Sequence, residues 1–244
     1  MIQIQHLSKT FAHPVLHDVT LRIPAGCLYG LIGPGASGKS VLLKMITALM
    51  RPDAGTLHVD GQDVLALSEI ELAAFRLKFG MLFQNNALFD SMTVADNVGF
   101  PLRRLGRFGE EEIAERVHER LSAVSLAEFA DRIPASLSGG QKKRVGVARA
   151  TITQAPIIFY DEPAAGLDPV TSQKIFDLLR KEQESAKTTV IMVSSDIDRL
   201  LTVTDRVGMM YRGSLVFDGS TSEAQGSAHA HVKQFIHGLA EGPL

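Results

Sequence analysis

The chain has 244 residues, 45% hydrophobic and 21% charged, which is enough to bury the core of one large domain or of a domain with a smaller appendage. Its 25 Lys and Arg residues against 27 Asp and Glu residues give a net charge of −2, so the overall charge gives no support to a nucleic acid partner. The one cysteine, Cys27, excludes an internal disulfide, and MIQIQHLSKT lacks the basic-then-apolar pattern of a secretory signal, so we expect a reducing, cytoplasmic setting. The apolar stretches are shorter than the roughly 20 residues of a membrane span, so we expect no membrane crossing.

The N-terminal part of the chain has the alternation typical of strands. Every second position is apolar in two short runs, at Ile2 and Ile4 and at Val19, Leu21 and Ile23. Gly55–Gly61 is a further alternating run. Cys27–Ile32 is almost wholly apolar, which indicates a strand covered on both faces, and it leads into a predicted helix over Ser40–Met50. We therefore predict a β-rich N-terminal subdomain.

From about Asn85 to Ala155 the pattern becomes helical. An apolar stripe at helical spacing runs through Ile113, Val117, Leu121 and Val124, and glutamates lie off the stripe. We predict an inserted α-helical subdomain over residues 85–155.

Buried strands and helices alternate in the rest of the chain. The predicted strands are Ile157–Tyr160, Thr189–Val193 and Val207–Tyr211, and the predicted helices are Val170–Ser185, Asp196–Thr202 and a terminal amphipathic helix at Ser227–Ala240. Such alternation predicts an α/β fold with a mostly parallel sheet. We divide the chain into a core of residues 1–84 and 156–226, the helical subdomain of residues 85–155 and a tail of residues 227–244.

A glycine-rich turn lies between the buried strand and the first predicted helix. Its sequence GPGASGKS, Gly33–Ser40, matches the pattern G-x-x-x-x-G-K-[ST] in the strand–turn–helix context of a phosphate-binding loop. The glycines let backbone N–H groups turn toward phosphates, Lys39 neutralises the β- and γ-phosphate oxygens, and the Ser40 hydroxyl can ligate Mg²⁺. The alternative is a glycine-rich turn without a ligand. We predict a P-loop NTPase fold and assign nucleotide binding to Gly33, Pro34, Gly35, Ala36, Ser37, Gly38, Lys39, Ser40 and Val41.

Two carboxylates end the next buried strand. Asp161 and Glu162 follow the apolar run Ile157–Tyr160. In a P-loop fold the carboxyl ends of the strands face the nucleotide. Asp161 is then placed to hold Mg²⁺ through water, and Glu162 is placed to polarise the attacking water. The alternative, a strand that ends in two solvated acids, is common among proteins in general.

A third motif, LSGGQ at Leu137–Gln141, precedes the predicted helix Lys142–Ala150. Its serine and glycines form a second helix N-terminus suited to an anion. Gln84 follows a short apolar run, and GLDP at Gly166–Pro169 follows the acidic pair. In this order and spacing, the motifs resemble those of the ATP-binding cassette (ABC) ATPases over essentially the whole chain.

This resemblance implies ligands, an assembly and further site residues. ATP and Mg²⁺ would be bound, with ATP held between two cassettes of a head-to-tail homodimer. Phe11 falls where ABC ATPases place an aromatic ring against adenine, although an ordinary apolar residue of an edge strand explains it too. The implied nucleotide contacts outside the loop are Phe11, Ser138, Gly139, Gly140, Gln141 and Asp168, the implied metal ligands are Ser40, Gln84 and Asp161, and the implied catalytic residues are Lys39, Gln84, Glu162 and Ser195.

Ser195 departs from the ABC pattern. ABC ATPases usually carry a histidine where the strand ends at Val193–Asp196, and that histidine contacts the γ-phosphate and the attacking water. A serine hydroxyl is shorter and uncharged, so a bridging water replaces a direct bond more readily. Loss of a charge-assisted bond of about 1.5–3 kcal/mol in the transition state would lower turnover roughly 10- to 100-fold.

The stretch after Gln84 carries a finer resemblance. Residues 83–103, FQNNALFDSMTVADNVGFPLR, look like those of the MlaF-type ATPases of MCE-associated phospholipid transport systems, as does the C-terminal segment Gln234–Pro243. The resemblance implies a separate MlaE-type membrane permease and a place at the cytoplasmic face of the inner membrane. It also allows a small MlaB-type regulatory subunit and an MCE-domain protein as partners, and it implies no nucleic acid.

Four apolar residues in that stretch are candidates for an exposed groove that receives a permease helix: Phe89, Met92, Val94 and Phe100. An ordinary subdomain core explains each of them singly. We also expect Lys142, Lys143 and Arg144 to form a solvated basic face and Cys27 to be a buried small apolar residue.

Three other functions remain open from the sequence. The same architecture can serve a different transported substrate. Ser195 motivates a cassette that hydrolyses weakly or regulates by binding ATP. A soluble ABC ATPase that acts on ribosomes or DNA is the third, but such proteins usually carry two cassettes or a long coiled-coil insertion.

Overall fold

A computed structural model describes residues 1–244. The elements in chain order are β1 (Ile2–Thr10), β2 (Pro14–Ile23), β3 (Leu28–Ile32), α1 (Lys39–Ile46), β4 (Ala54–Val59), β5 (Gln62–Asp63), α2 (Glu69–Arg76), β6 (Phe79–Leu82), α3 (Val94–Leu105), α4 (Glu110–Ala123), α5 (Gly139–Thr151), β7 (Ile157–Asp161), α6 (Pro169–Ala186), β8 (Thr189–Val193), α7 (Ile197–Val203), β9 (Arg206–Tyr211), β10 (Ser214–Ser220), α8 (Thr221–Gln225) and α9 (Ala230–His237). Short 3₁₀ turns occur at Ala127–Phe129 and Pro134–Ser136. The predicted α/β fold is confirmed.

The chain divides by its contacts into two compact units. Unit 1 is Met1–Lys78 with Lys187–Leu244, and unit 2 is Phe79–Ala186. The division predicted from the motifs, with a helical subdomain over residues 85–155 and a tail over residues 227–244, stays a prediction.

An antiparallel sheet in unit 1 has the strand order β2-β1-β4-β5. Ile4 of β1 lies opposite Leu21 on one side and opposite Leu57 on the other. All three side chains are buried. Along β2, the buried residues Val19, Leu21 and Ile23 alternate with the exposed residues Thr20 and Arg22. The apolar alternation in the sequence therefore marks the covered face of this sheet.

The other strands of unit 1 pair in the order β10-β9-β3-β8. β3 is parallel to both β8 and β9, and β10 runs antiparallel to β9 at the edge. Every residue of β3 and of β8 is buried, as the continuous apolar runs predict. Because β3 and β8 are parallel, the turn that follows β3 and the segment that follows β8 lie at the same edge.

In unit 2, β6 and β7 pair in parallel, with Leu82 opposite Tyr160. The first helices of this unit bury a common core that includes Val94 and Val98. The same core contains the stripe predicted from the sequence, Ile113, Val117, Leu121 and Val124, which is therefore confirmed. The carboxyl ends of β6 and β7 leave Gln84 and the acidic pair at one edge of this strand pair.

The structure corrects the groove predicted for the stretch after Gln84. Val94 is 0% exposed and belongs to the helical core, because it opens α3 on the side that faces α4 and α5. Phe89 is 40% exposed, and Met92 and Phe100 are partly exposed. A surface at this place is therefore formed without Val94.

Several boundaries differ from the sequence prediction. α1 ends at Ile46 instead of Met50, because the chain turns at Ala48, whose φ is +55°. α9 ends at His237, where Gly238 takes a φ of +59°. The sequence did not predict α2, α8 or β10.

Cys27 is buried, as expected. None of the helices is both long enough and apolar enough to span a membrane.

Candidate nucleotide-binding site

The turn after β3 has a backbone that depends on two glycines. Gly33 has a φ of +140°, and a Cβ there would lie 2.0 Å from the Met210 carbonyl oxygen. Gly38 has a φ of +102°, and its Cβ would lie 2.6 Å from Leu16 Cδ2. A side chain is excluded at both positions, by conformation and by space. By contrast, the space beside Gly35 is open, with nothing within 4 Å of its Cβ position.

The same turn opens onto the N-terminus of α1. Gly38, the N-cap residue, offers no side-chain cap, and the first turn holds no acidic residue. Helix N-terminal N–H groups without a cap attract an anion. The Lys39 ammonium bends back over the turn and donates to the Gly33 and Pro34 carbonyls at 2.7 and 2.8 Å and to Ser37 Oγ at 3.2 Å. Gly35, Ala36 and Ser40 are exposed, whereas Val41 is partly buried in the helix.

Two further candidate residues of unit 1 lie in turns. Ser195 is exposed and follows β8, at the edge shared with the turn after β3. Phe11 is 53% exposed between β1 and β2, and the Lys9 ammonium lies 5.6 Å from its ring centroid. An open ring of this kind has area for stacking on a base, which leaves both explanations of Phe11 in place.

The acidic pair ends β7 in a bent backbone. Asp161 is the last residue of β7, and Glu162 follows with a φ of +49°, in the left-handed region. A residue with a side chain is seldom found there, and surrounding contacts must hold it. Both carboxylates are partly exposed.

Lys143 of α5 supplies one of those contacts and corrects the basic face predicted at Lys142–Arg144. Its side chain is only 4% exposed. The ammonium donates to the Gln84 carbonyl at 2.5 Å and to the Glu162 carbonyl at 3.1 Å. Burial lowers the pKa of Lys143, and the carboxylates of Glu162 and Asp161 oppose that shift.

The LSGGQ motif forms the beginning of α5. Ser138 is the N-cap residue: its hydroxyl accepts from the Gln141 N–H, while the Gln141 side chain accepts from the Ser138 N–H. A Cβ at Gly140 would lie 2.8 Å from Thr171 Cγ2, so a larger residue does not fit against α6. Gly139 is exposed.

Asp168 caps α6 beside this motif. Its carboxylate accepts from the Val170 and Thr171 N–H groups, both at 3.0 Å. Hydrogen bonds from Thr171, first through its side chain and then through its backbone, hold the pKa of Asp168 below its usual value. The carboxylate therefore stays ionised and exposed at the start of α6.

The sequence profile of the ABC transporter family matches residues 16–165. The chain belongs to the ABC transporter family. It is 39% identical over 244 residues to the probable ribonucleotide transport ATP-binding protein mkl of Mycobacterium tuberculosis H37Rv, covering 100% of this chain and 68% of that one. It is 40% identical over 242 residues to the methionine import ATP-binding protein MetN 1 of Pseudomonas putida, covering 97% and 72%. The solved dimer of the ATP-binding cassette MJ0796 with ADP and Pi has a TM-score of 0.82 and 33% identity, covering 91% and 99%.

This ABC ATPase binds ATP with Mg²⁺ and hydrolyses ATP. The turn after β3 fits a triphosphate, since its uncapped helix end, the open space at Gly35 and the Lys39 ammonium all favour an anion. Mg²⁺ takes hydroxyl and carboxylate oxygens together with phosphate oxygens. Each unit offers one such group: the Ser40 hydroxyl is exposed in unit 1, and the Asp161 carboxylate is partly exposed in unit 2.

The contacts of three residues of the ABC ATPase, Lys143, Arg149 and Asn97, were not predicted from the sequence. Lys143, Val147 and Ala150 share one buried stripe of α5, a spacing that could have shown that this lysine faces inward. Arg149 donates to the carbonyls of Asn86 and Ala87, a contact that no spacing predicts. Asn97 is 0% exposed, and its amide bonds to both the N–H and the C=O of Phe89. In the sequence it follows Asp96, so nothing there marked it as buried.

Proposed function

We propose that this chain is the ATP-hydrolysing subunit of an ABC transporter that moves phospholipid through a separate membrane permease of the Mla/MCE type. The observation that carries the proposal is residues 83–103, whose MlaF-like sequence includes the exposed Phe89. The chain then works peripherally at the cytoplasmic face of the inner membrane. An MlaE-type permease is its direct partner, with an MlaB-type subunit and an MCE-domain protein as further components.

Each candidate residue has a chemical role in this proposal. Lys39 and the N–H groups of Gly33–Val41 hold the phosphates. Glu162 accepts a proton from the attacking water, which Gln84 and Ser195 help to hold. Ser40, Gln84 and Asp161 would hold Mg²⁺, which neutralises charge on the β- and γ-phosphates when bound.

Two copies of the chain would complete one another's sites. Ser138, Gly139, Gly140 and Gln141 begin α5 with exposed or partly exposed residues, and Asp168 begins α6 beside them. A helix N-terminus that faces outward suits the γ-phosphate of ATP held by a second cassette. The dimeric form of the similar cassette MJ0796 supports this arrangement.

The proposed permease contact is an aromatic surface made of Phe89 and Phe100. The ring centroids are 4.7 Å apart, and Phe89 is 40% exposed. Asn97 fixes the backbone of Phe89, since its Oδ1 accepts from the Phe89 N–H at 2.8 Å and its Nδ2 donates to the Phe89 carbonyl at 3.1 Å. A rigid, partly exposed aromatic pair suits the apolar face of a permease helix.

Phe89→Asp should abolish co-purification with the permease and leave the cassette folded. A charge in a desolvated groove costs several kcal/mol, whereas loss of the ring pair costs the cassette only about 0.5–1.5 kcal/mol. Pull-down of the co-expressed permease and thermal unfolding of the cassette measure the two effects.

Val94→Asp is the matched control, because it places the same charge in the dry helical core, where Val94 is 0% exposed. This variant should unfold. If Phe89→Asp unfolds as well, Phe89 is part of the core and the proposed surface does not exist.

The transported substrate is tested by purifying the native complex and identifying its bound lipid by mass spectrometry. Phospholipid bound to the complex, and lost when the permease is left out, supports the proposal. A complex that carries no lipid, and whose ATP hydrolysis is stimulated by another solute, contradicts the proposal. The similarity to mkl, which extends over the whole of this chain and whose name gives ribonucleotide transport, makes a ribonucleotide the second candidate substrate to add in that assay.

Ser195→His should raise kcat roughly tenfold with little change in KM. Ser195 is exposed, so the ring adds no volume to the core, and a charged donor at this edge stabilises the transition state more than a hydroxyl does. Ser195→Ala, the control, should lower kcat only slightly if the hydroxyl acts through water.

Steady-state phosphate release from the assembled transporter measures the turnover of the wild type and of both variants. An unchanged rate in Ser195→His would mean that another residue makes the contact; no hydrolysis by the wild type would favour a regulatory cassette.

A further inference from the structure

Two cationic side chains of α5 point at backbone carbonyls of one neighbouring segment, residues 84–87. Lys143, 4% exposed, donates to the Gln84 carbonyl at 2.5 Å. Arg149 donates to the Ala87 carbonyl at 2.7 Å and to the Asn86 carbonyl at 2.5 Å. Two cations six positions apart on one helix therefore hold three of the four carbonyls in this segment.

Lys143 also joins that segment to the acidic pair. The same ammonium donates to the Glu162 carbonyl at 3.1 Å, so a single group bridges the ends of β6 and β7. Placing an ammonium in a buried position costs free energy unless its donors are satisfied. Here two main-chain oxygens accept hydrogen bonds from the ammonium.

The residues held in this way have backbones that need support. Asn86, Ala87 and Glu162 have φ values of +60°, +50° and +49°. Side-chain-bearing residues in the left-handed region are strained and persist only where neighbouring groups fix them. The cations of α5 bond to the carbonyl of each of these three residues.

We propose that Lys143 and Arg149 are positioning residues for ATP hydrolysis. Lys143 holds the backbones of Gln84 and Glu162, and Arg149 holds the segment after Gln84 at Asn86 and Ala87, so that the side chains of Gln84 and Glu162 meet the Mg²⁺ ion and the attacking water. This inference rests on the roles proposed above for Gln84 and Glu162. Neither cation touches the reacting atoms; each acts through the backbone that it holds. Partners that orient a metal ligand, the role proposed for Gln84, typically contribute 10- to 100-fold to metal affinity or activity.

The test combines hydrogen exchange with kinetics on the full chain. Lys143→Met keeps an unbranched side chain only one atom shorter and removes the charge and the donors. Peptides spanning residues 83–89 should exchange at least about tenfold faster, because the Asn86 and Phe89 N–H groups, bonded at 2.8 Å in this structure, lose their fixed backbone. In the same variant, kcat should fall roughly 10- to 100-fold with KM for ATP within about twofold, a split that general unfolding does not produce.

Two variants complete the set. Lys143→Arg restores the donors and should recover most of kcat. Arg149→Lys keeps a charge but loses the fork that holds two carbonyls, so it should speed exchange of residues 86–89 even if Lys143→Met fails to fold. Lys142→Met is the matched control: it removes a charge from the same turn of α5 and should leave both exchange and kcat unchanged.

Unchanged exchange of residues 83–89 in both Lys143→Met and Arg149→Lys overturns the proposal. Faster exchange with an unchanged kcat also overturns it, because the cations would then hold the segment without serving hydrolysis. Gln84→Ala and Glu162→Gln in the same assay test the proposed function separately. Wild-type hydrolysis by those two variants would remove the catalytic roles, while the exchange data would still decide what Lys143 and Arg149 hold.

Discussion

Lys39→Ala should abolish measurable ATP hydrolysis while the chain stays folded. The ammonium lies over the turn after β3, where it bonds to the Gly33 and Pro34 carbonyls at 2.7 and 2.8 Å. Removal of one preorganised neutral donor costs about 10²–10³ in kcat, and a full positive charge at the transferred phosphoryl group is worth more. We therefore expect kcat to fall by at least roughly 10³-fold and the affinity for ATP to fall as well.

Lys44→Ala is the control for this variant. Lys44 is an exposed lysine in the last turn of the same helix, so its removal changes the net charge equally without touching the turn. It should hydrolyse ATP like the wild type, and thermal unfolding should show both variants folded. Wild-type turnover by Lys39→Ala would refute the assignment of this turn as the phosphate site.

Glu162→Gln should bind ATP normally and hydrolyse it roughly 10²- to 10⁴-fold more slowly. The amide keeps the shape of the side chain but cannot accept a proton from the attacking water, and general base catalysis contributes about that factor. The unhydrolysed nucleotide should then stabilise the closed pair of cassettes. Size-exclusion chromatography with ATP and Mg²⁺ should show a shift from monomer to dimer that the wild type lacks.

The partner surface is tested in the Glu162→Gln background. Adding Ser138→Arg places a bulky side chain at the exposed start of α5 and should abolish the dimer. Ser136→Arg adds the same side chain two positions earlier, at another exposed residue, and should leave the dimer intact. Because Ser138 also caps α5, its loss lowers stability by about 1 kcal/mol, which melting curves can separate from the interface effect. A dimer that survives Ser138→Arg would remove Ser138 from the interface.

The parts of the site that depend on local geometry could be predicted from the sequence. The turn at Gly33–Lys39 requires glycines at fixed positions, so its pattern reports its backbone directly. The start of α5 could also be predicted, because Ser138 and Gln141 have the spacing of a capping box. The continuous apolar runs of β3 and β8 identified them as buried parallel strands.

The sequence predictions that were wrong concern the burial of Lys143 and Val94, which depends on the elements packed against them. Lys143 has a polar type but faces inward, because carbonyls from two separate strand ends meet at its position on α5. Val94 follows Phe89 by five residues, yet one is 0% exposed and the other 40% exposed. Val94, Val98 and Leu102 recur at i, i+4 and i+8, a spacing that could have placed Val94 on the covered face of α3.

The bonds of Lys39 bear on how tightly the nucleotide is held. The ammonium has oxygen partners within the turn, the carbonyls of Gly33 and Pro34. Moving it onto a phosphate exchanges one set of contacts for another, so only the difference between the two sets appears as affinity. The carbonyl bonds of Lys39 therefore lower the net affinity that its charge adds to nucleotide binding. An ATPase that must release its product after each hydrolysis is served by a binding site of this kind, fixed in geometry and moderate in affinity.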